Sequence, residues 1–104
     1  MGHIIPNKDC LCRPNLAEEA CQLLSDLANT ERLMIVALLH EVGEMHVNDM
    51  VAKLGANRAS LSRQLGRLRE QSIVTTRRKH NRIYYALSHG KAAALIKTIG
   101  NIVR

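Results

Sequence analysis

Apolar residues recur along most of this chain at helical spacing, interrupted by one stretch of strand period. Leu16, Ala20, Leu23, Leu24 and Leu27 fall on one face of a helix starting at Asn15, a capping residue with Glu18 three positions on in a capping-box arrangement. A second helix follows Asn29, turns Leu33, Val36, Ala37 and Leu39 or His40 inward, and ends at Gly43. Residues 47–54 read as a short third helix stopped at Gly55. Asn57 caps a fourth, with Ser60 in its first turn and Leu61, Leu65 and Leu68 as its buried face.

The period then shortens to that of strands. Residues 73–76 and 83–87 are β-branched or aromatic and flank the polar run 77–82, which predicts a β-hairpin with a basic tip. A last helix over residues 91–103 carries Ala92, Leu95, Ile96, Ile99, Ile102 and Val103 on one face. Residues 1–14 hold Pro6 and Pro14 without periodicity and read as a flexible tail carrying Cys10-Leu-Cys12, leaving residues 15–104 as one domain. The predicted fold is mainly α with a β-hairpin wing: five helices in which the third and fourth, joined at Gly55, form a winged helix-turn-helix.

In that arrangement the second helix of the pair lies in the major groove and the wing follows the backbone or the neighbouring minor groove. With its leucines turned inward, the fourth helix presents Arg58, Ala59, Ser62, Arg63, Gln64 and Arg67. Arginine and glutamine can form two parallel hydrogen bonds to guanine and adenine edges, whereas Ser60, Ser62 and the wing residues Arg77, Arg78, Lys79 and Arg82 suit phosphates.

Charge strengthens this reading. Residues 58–82 hold eight Lys/Arg against one acid, Glu70, while the rest of the chain holds seven basic and eight acidic residues. The whole formal charge of +6 therefore comes from one segment, and a focused positive potential calls for a polyanion. At 104 residues, with no Phe or Trp and two Tyr, the domain has an aliphatic core and gains from subunit association. Too few aromatic residues exist to stack single-stranded bases. No apolar run is long enough to span a bilayer and no export signal opens the chain, so a cytoplasmic location is expected. No nucleophile–base set, Gly-rich phosphate loop or carboxylate pair points to an enzyme.

The ordered series Leu27-Ala-Asn-Thr-Glu-Arg-Leu-Met-Ile-Val-Ala-Leu-Leu39, Gly43-Glu-Met-His-Val-Asn-Asp-Met-Val-Ala-Lys-Leu-Gly55, Ala59-Ser-Leu-Ser-Arg-Gln-Leu-Gly-Arg-Leu-Arg-Glu70 and residues 73–87 resembles the ArsR/SmtB family of bacterial winged-helix repressors. The likeness covers roughly residues 16 to 103. It implies a homodimer joined through the first and last helices, bound to an inverted-repeat operator in double-stranded DNA and released when an inducer favours another dimer geometry. Within the family the pattern is nearest the persulfide-sensing BigR/SqrR branch, through residues 31–35, 62–65 and 83–88. The sensor cysteines of that branch correspond here to Ala37 and Arg104. The thiolate pair that other members carry at the start of the third helix corresponds to His46 and Asn48, and the last-helix metal site is reduced to His89.

The thiols of this chain lie elsewhere. Cys10, Cys12 and, nine residues later, Cys21 offer three soft donors for a thiophilic ion such as As(III), Cd(II), Pb(II) or Hg(II). The same thiols could instead join as a disulfide or polysulfide in a redox or persulfide response, and Cys21 could simply be a small buried residue. His3 next to the amino terminus is either a Ni(II) or Cu(II) chelating group or part of a plain tail; His40 and His80 read as surface or capping residues. A non-sensing winged-helix DNA-binding protein is the alternative, distinguished by DNA affinity that ignores thiol modification.

Overall fold

The computed structural model describes Ile5 and residues 7–88 and 90–104; Met1, Gly2, His3, Ile4, Pro6 and His89 lie outside the described residues. The elements run α1 (Pro14–Leu27), α2 (Thr30–Val42), β1 (Glu44–His46), α3 (Val47–Leu54), α4 (Arg58–Glu70), β2 (Val74–Lys79), β3 (Arg82–Leu87) and α5 (Gly90–Val103). The antiparallel sheet has the order β1-β3-β2.

Most helix boundaries fall where the capping residues place them. The Asn29 side chain accepts from Arg32 N at 3.0 Å and that of Asn57 from Ser60 N at 3.1 Å, each satisfying one of the amides that a helix start leaves open. Gly43 and Gly55 close α2 and α3 at positive φ, +90° and +62°, a region that costs a residue with a Cβ. At α1 the capping-box reading is corrected. The helix starts one residue earlier, at Pro14, and its N-cap Arg13 makes no side-chain cap bond. Proline at the first helical position brings a pre-set φ and lacks an amide that would be unpaired there anyway, so Asn15 is not needed as the cap.

α4 ends in a Schellman arrangement. Ile73 N donates to Leu68 O at 2.9 Å and Ser72 N to Arg69 O at 3.0 Å, with Ser72 in the left-handed region at φ 60°. Serine pays for that conformation with strain that glycine lacks, so Ser72→Gly is expected to raise stability by about 1 kcal/mol, read as an upward shift of the thermal midpoint.

The core is aliphatic. Ile35, Val36, Leu39, Met50, Leu61, Leu65, Leu68, Ile73 and Val74 are buried at the junction of α2, α3, α4 and the wing base, with Leu27 and Ala92 closing it from α1 and α5. On α2 the buried set is Arg32, Ile35, Val36 and Leu39, while Leu33 and Ala37 are half-buried and His40 is exposed. Residues 33–39 are apolar without interruption, so periodicity alone could not select this face. The apolar stripes of α1 and α5 are only partly covered: Leu24 is 51% exposed, Ile102 74% and Val103 75%. Among the described residues no helix is long and apolar enough to cross a membrane.

Candidate nucleic-acid interface

The three leucines of α4 face α2 and α3 and are buried, which fixes the opposite side of the helix. Arg58, Ala59, Ser62, Arg63 and Arg67 are exposed there, as the sequence expects, and Gln64 and Ser60 sit at the edge, half-buried.

The wing starts directly below. β2 and β3 pair from Val74 opposite Leu87 to Lys79 opposite Arg82, so the strands run to within two residues of each other. The connecting His80 and Asn81 both have positive φ, 51° and 63°, the backbone of a type I′ turn whose twist matches that of the strands. The basic run 77–82 is therefore mostly strand, with only its centre as a turn. Strand alternation puts Arg77, Lys79 and Arg82 on the outer face, whereas Arg78 shares the side of Val74 at the exposed tip.

Three of the nominated side chains are engaged within the chain. Ser60 Oγ donates to the Glu31 carboxylate at 2.9 and 3.1 Å, so its single hydroxyl proton anchors α4 to α2. Gln64 Oε1 accepts from Arg32 Nη1 at 2.8 Å. Arg77 forms a two-bond pair with Glu44 of β1, with Nε 2.8 Å from Oε2. The Arg77 guanidinium holds the Glu44 carboxyl below the usual carboxylate range, and Glu44 in turn pushes Arg77 further up. Arg77 is therefore partly neutralised, while Arg58, Arg63, Arg67, Arg78, Lys79 and Arg82 are exposed on α4 and the wing.

β1 was invisible in the sequence, since three residues are too few to show alternation. It pairs with β3, Glu44 opposite Ala86 and His46 opposite Tyr84. His46 also caps α3, its Nδ1 accepting from Asn48 N at 3.1 Å, and its ring meets Tyr84 edge-on at 6.0 Å. These contacts give His46 a structural place at the start of α3.

The thiols divide into a pair and a single residue. Two turns, closed by Cys10 N to Asn7 O and Arg13 N to Cys10 O, precede α1 and bring Cys10 and Cys12 together. The Cys12 amide donates to Cys10 Sγ at 3.2 Å. Hydrogen bonding from the Cys12 thiol, reinforced by that amide, lowers the Cys10 pKa from the ordinary thiol value, and the same thiol contact raises that of Cys12. Cys21 is exposed on α1, contrary to its reading as a buried residue. Among the described residues no three His, Cys, Asp or Glu side chains gather in a metal-sized cluster, so one chain does not bring Cys21 to the other two.

Residues 29–76, the stretch from the α2 cap through the helix pair into β2, match the profile described as "Bacterial regulatory protein, arsR family". The chain is 45% identical over 83 residues to the biofilm growth-associated repressor of Agrobacterium fabrum, covering 80% of this chain and 70% of that protein. The chain belongs to the arsR family. Two solved arsR-type folds extend the comparison. The crystal structure of the transcriptional repressor BigR from Xylella fastidiosa superposes with a TM-score of 0.77 at 40% identity, covering 86% of this chain and 87% of that one. The antimony-specific transcriptional repressor AntR gives 0.82 at 25% identity, covering 99% and 95%. The winged helix-turn-helix expected from the sequence is thus the observed fold. Ala37 is half-buried on α2, and Arg104 folds back on α5, its Nε donating to Gly100 O at 2.9 Å.

Proposed function

We propose that the chain is a sequence-specific transcriptional repressor that binds an inverted-repeat DNA operator as a homodimer, with α4 in the major groove and the wing on the flanking backbone. The observation that carries this reading is the unbroken exposure of cations from α4 into the wing on a chain whose remaining residues are close to neutral. Arg58, Arg63 and Arg67 project where base edges and adjacent phosphates would lie, with Ser62 between them. Arg78, Lys79 and Arg82 supply phosphate contacts, and Arg77 contributes less while Glu44 holds it. Ser60 acts by fixing the angle of α4 against α2. The half-covered stripes of α1 and α5 support association through those helices, because Leu24, Ile102 and Val103 are left in water by one chain alone. A repressor of this kind works in the cytoplasm.

Arg63→Ala is expected to cost about 1–3 kcal/mol on the cognate operator and to relax base preference at one position of each half-site. Quantitative competition binding measures it, and an equal loss on random duplex would assign Arg63 to phosphate instead.

The Cys10–Cys12 pair supports a thiol-based inducer response. Two adjacent, solvent-accessible sulfurs, one of them acidified, suit a thiophilic ion such as As(III), Cd(II) or Pb(II), with a thiol from a second chain completing its coordination. An oxidant or persulfide that links the two sulfurs is the alternative input. The resemblance to an antimony-specific repressor over nearly the whole chain adds weight to the metalloid input. Cys10→Ser combined with Cys12→Ser is expected to leave operator binding intact and to abolish release by As(III) or polysulfide. Stepwise alkylation followed by mass spectrometry should modify Cys10 first, with a pH midpoint below that of Cys12. Full release of the double variant would eliminate this sensor.

A further inference from the structure

We propose that Arg32 makes Gln64 a donor-only reader of the base edge, so that the base facing it is selected for a hydrogen-bond acceptor and not for the paired pattern of adenine. The inference rests on α4 occupying the major groove, as proposed above.

Arg32 Nη1 lies 2.8 Å from Gln64 Oε1. A guanidinium has donors and no acceptor, so the amide atom it meets has to be oxygen, and the two ends of the Gln64 amide are assigned by chemistry. Arg32 is itself held: it is 9% exposed, and its Nε donates to the Asp26 carbonyl at 2.7 Å. Its backbone amide is tied to the Asn29 cap at 3.0 Å. Asp26, 6% exposed, is fixed in turn by Gln22 Nε2 at 2.9 Å. Withdrawing Oε1 would give up a charge-assisted hydrogen bond whose donor is already held in place by Asp26, so the bond persists when DNA docks. Oε1 is thus drawn toward α2, and Nε2 is the polar atom that half-exposed Gln64 has left for an open cleft of ≈ 420 Å³ lined also by Arg63 and Arg67.

Reading adenine with two bonds requires Oε1 to accept from the N6 amino group while Nε2 donates to N7. Oε1 keeps a second lone pair, but its anchor on Arg32 fixes where that lone pair points, so the bond from Nε2 is the one left to carry the reading. Nε2 can donate to N7 or O6 of guanine, N7 of adenine or O4 of thymine, and it meets another donor, the N4 amino group, on cytosine. Arg32 is the positioning residue and Gln64 the reader.

The test uses the full chain and an operator selected from a randomised duplex library. The position whose preference relaxes in Gln64→Ala identifies the facing base. There, cytosine is expected to bind about tenfold more weakly than guanine or thymine. Replacing adenine by purine, which lacks the N6 amino group, should change nothing, whereas 7-deazaadenine should lose about fivefold. Gln64→Glu keeps an oxygen on Arg32 and removes the donor, so preference is expected to move to cytosine. Arg32→Met frees Oε1 and should make N6 matter. Should that variant fail to fold, Gln64→Glu decides alone. Equal losses on removing N6 and N7 in the wild type would overturn the proposal, as would a Gln64→Glu variant with unchanged preference or a Gln64→Ala variant that relaxes no position. Salt-sensitive duplex binding without such a position leaves the repressor reading intact and removes this one; absence of duplex binding removes both.

Discussion

Raising monovalent salt from about 50 to about 200 mM is expected to weaken operator binding by roughly three to five powers of ten. The expectation follows from counterion release. Each phosphate neutralised by a cationic side chain frees condensed ions from the duplex, and the logarithm of affinity falls by about 0.9 per contact for each unit of log salt. Each protomer offers Arg58, Arg63, Arg67, Arg78, Lys79 and Arg82 exposed on one composite surface, so a twofold complex reaches the range of contacts that such a loss requires. The joint substitution Arg78→Ala and Lys79→Ala should flatten the slope by about 2 per protomer and weaken all sequences alike. Arg77→Ala should flatten it less, because Glu44 already neutralises that guanidinium. Fluorescence anisotropy across a salt series measures both, and a flat response would dispose of the DNA-backbone reading.

Leu61→Ala is the second large effect, and it acts on the fold. Leu61 is 0% exposed on the side of α4 that seats against α2 and α3. Truncating a fully buried leucine removes apolar burial and leaves a cavity that neighbours only partly fill, at a cost of about 2–5 kcal/mol. A domain of this size has about 5–15 kcal/mol in total, so the variant should lose a large part of its stability and tilt the basic helix on whatever remains folded. Chemical denaturation at fixed protein concentration is the appropriate measurement, since subunit association adds to the apparent stability of a dimer. An unchanged midpoint would mean that α4 is not seated through its leucines.

Much of the fold was legible because local signals agreed. Asn29, Gly43, Gly55 and Asn57 each bracket a helix, and the change from helical to alternating period located the hairpin. Where the reading strayed, a competing physical effect was present. Pro14 displaced Asn15 as the determinant of where α1 begins. The apolar run in α2 hid which face is inward and gave no sign that Arg32 is buried. The positive-φ pair His80–Asn81 tightened the wing tip, and β1 was too short to announce itself.

The candidate site was legible as a surface and not as a circuit. Clustered charge disclosed the exposed arginines, whereas Ser60, Gln64 and Arg77 find internal partners 29, 32 and 33 residues away in sequence. No local pattern reports contacts of that range. Close spacing placed Cys10 beside Cys12, but the direction in which Cys21 points depends on how α1 packs.

The aromatic inventory has a practical corollary. Phe and Trp are missing from the chain, and its only two tyrosines, Tyr84 and Tyr85, are neighbours on β3. Adjacent strand residues point to opposite sides of a sheet, and Tyr84 meets the His46 ring while Tyr85 packs against the core. The ultraviolet emission of the protein therefore originates in a single strand, which makes it a built-in spectroscopic reporter of that strand with one ring for each side, requiring no label and no added fluorophore.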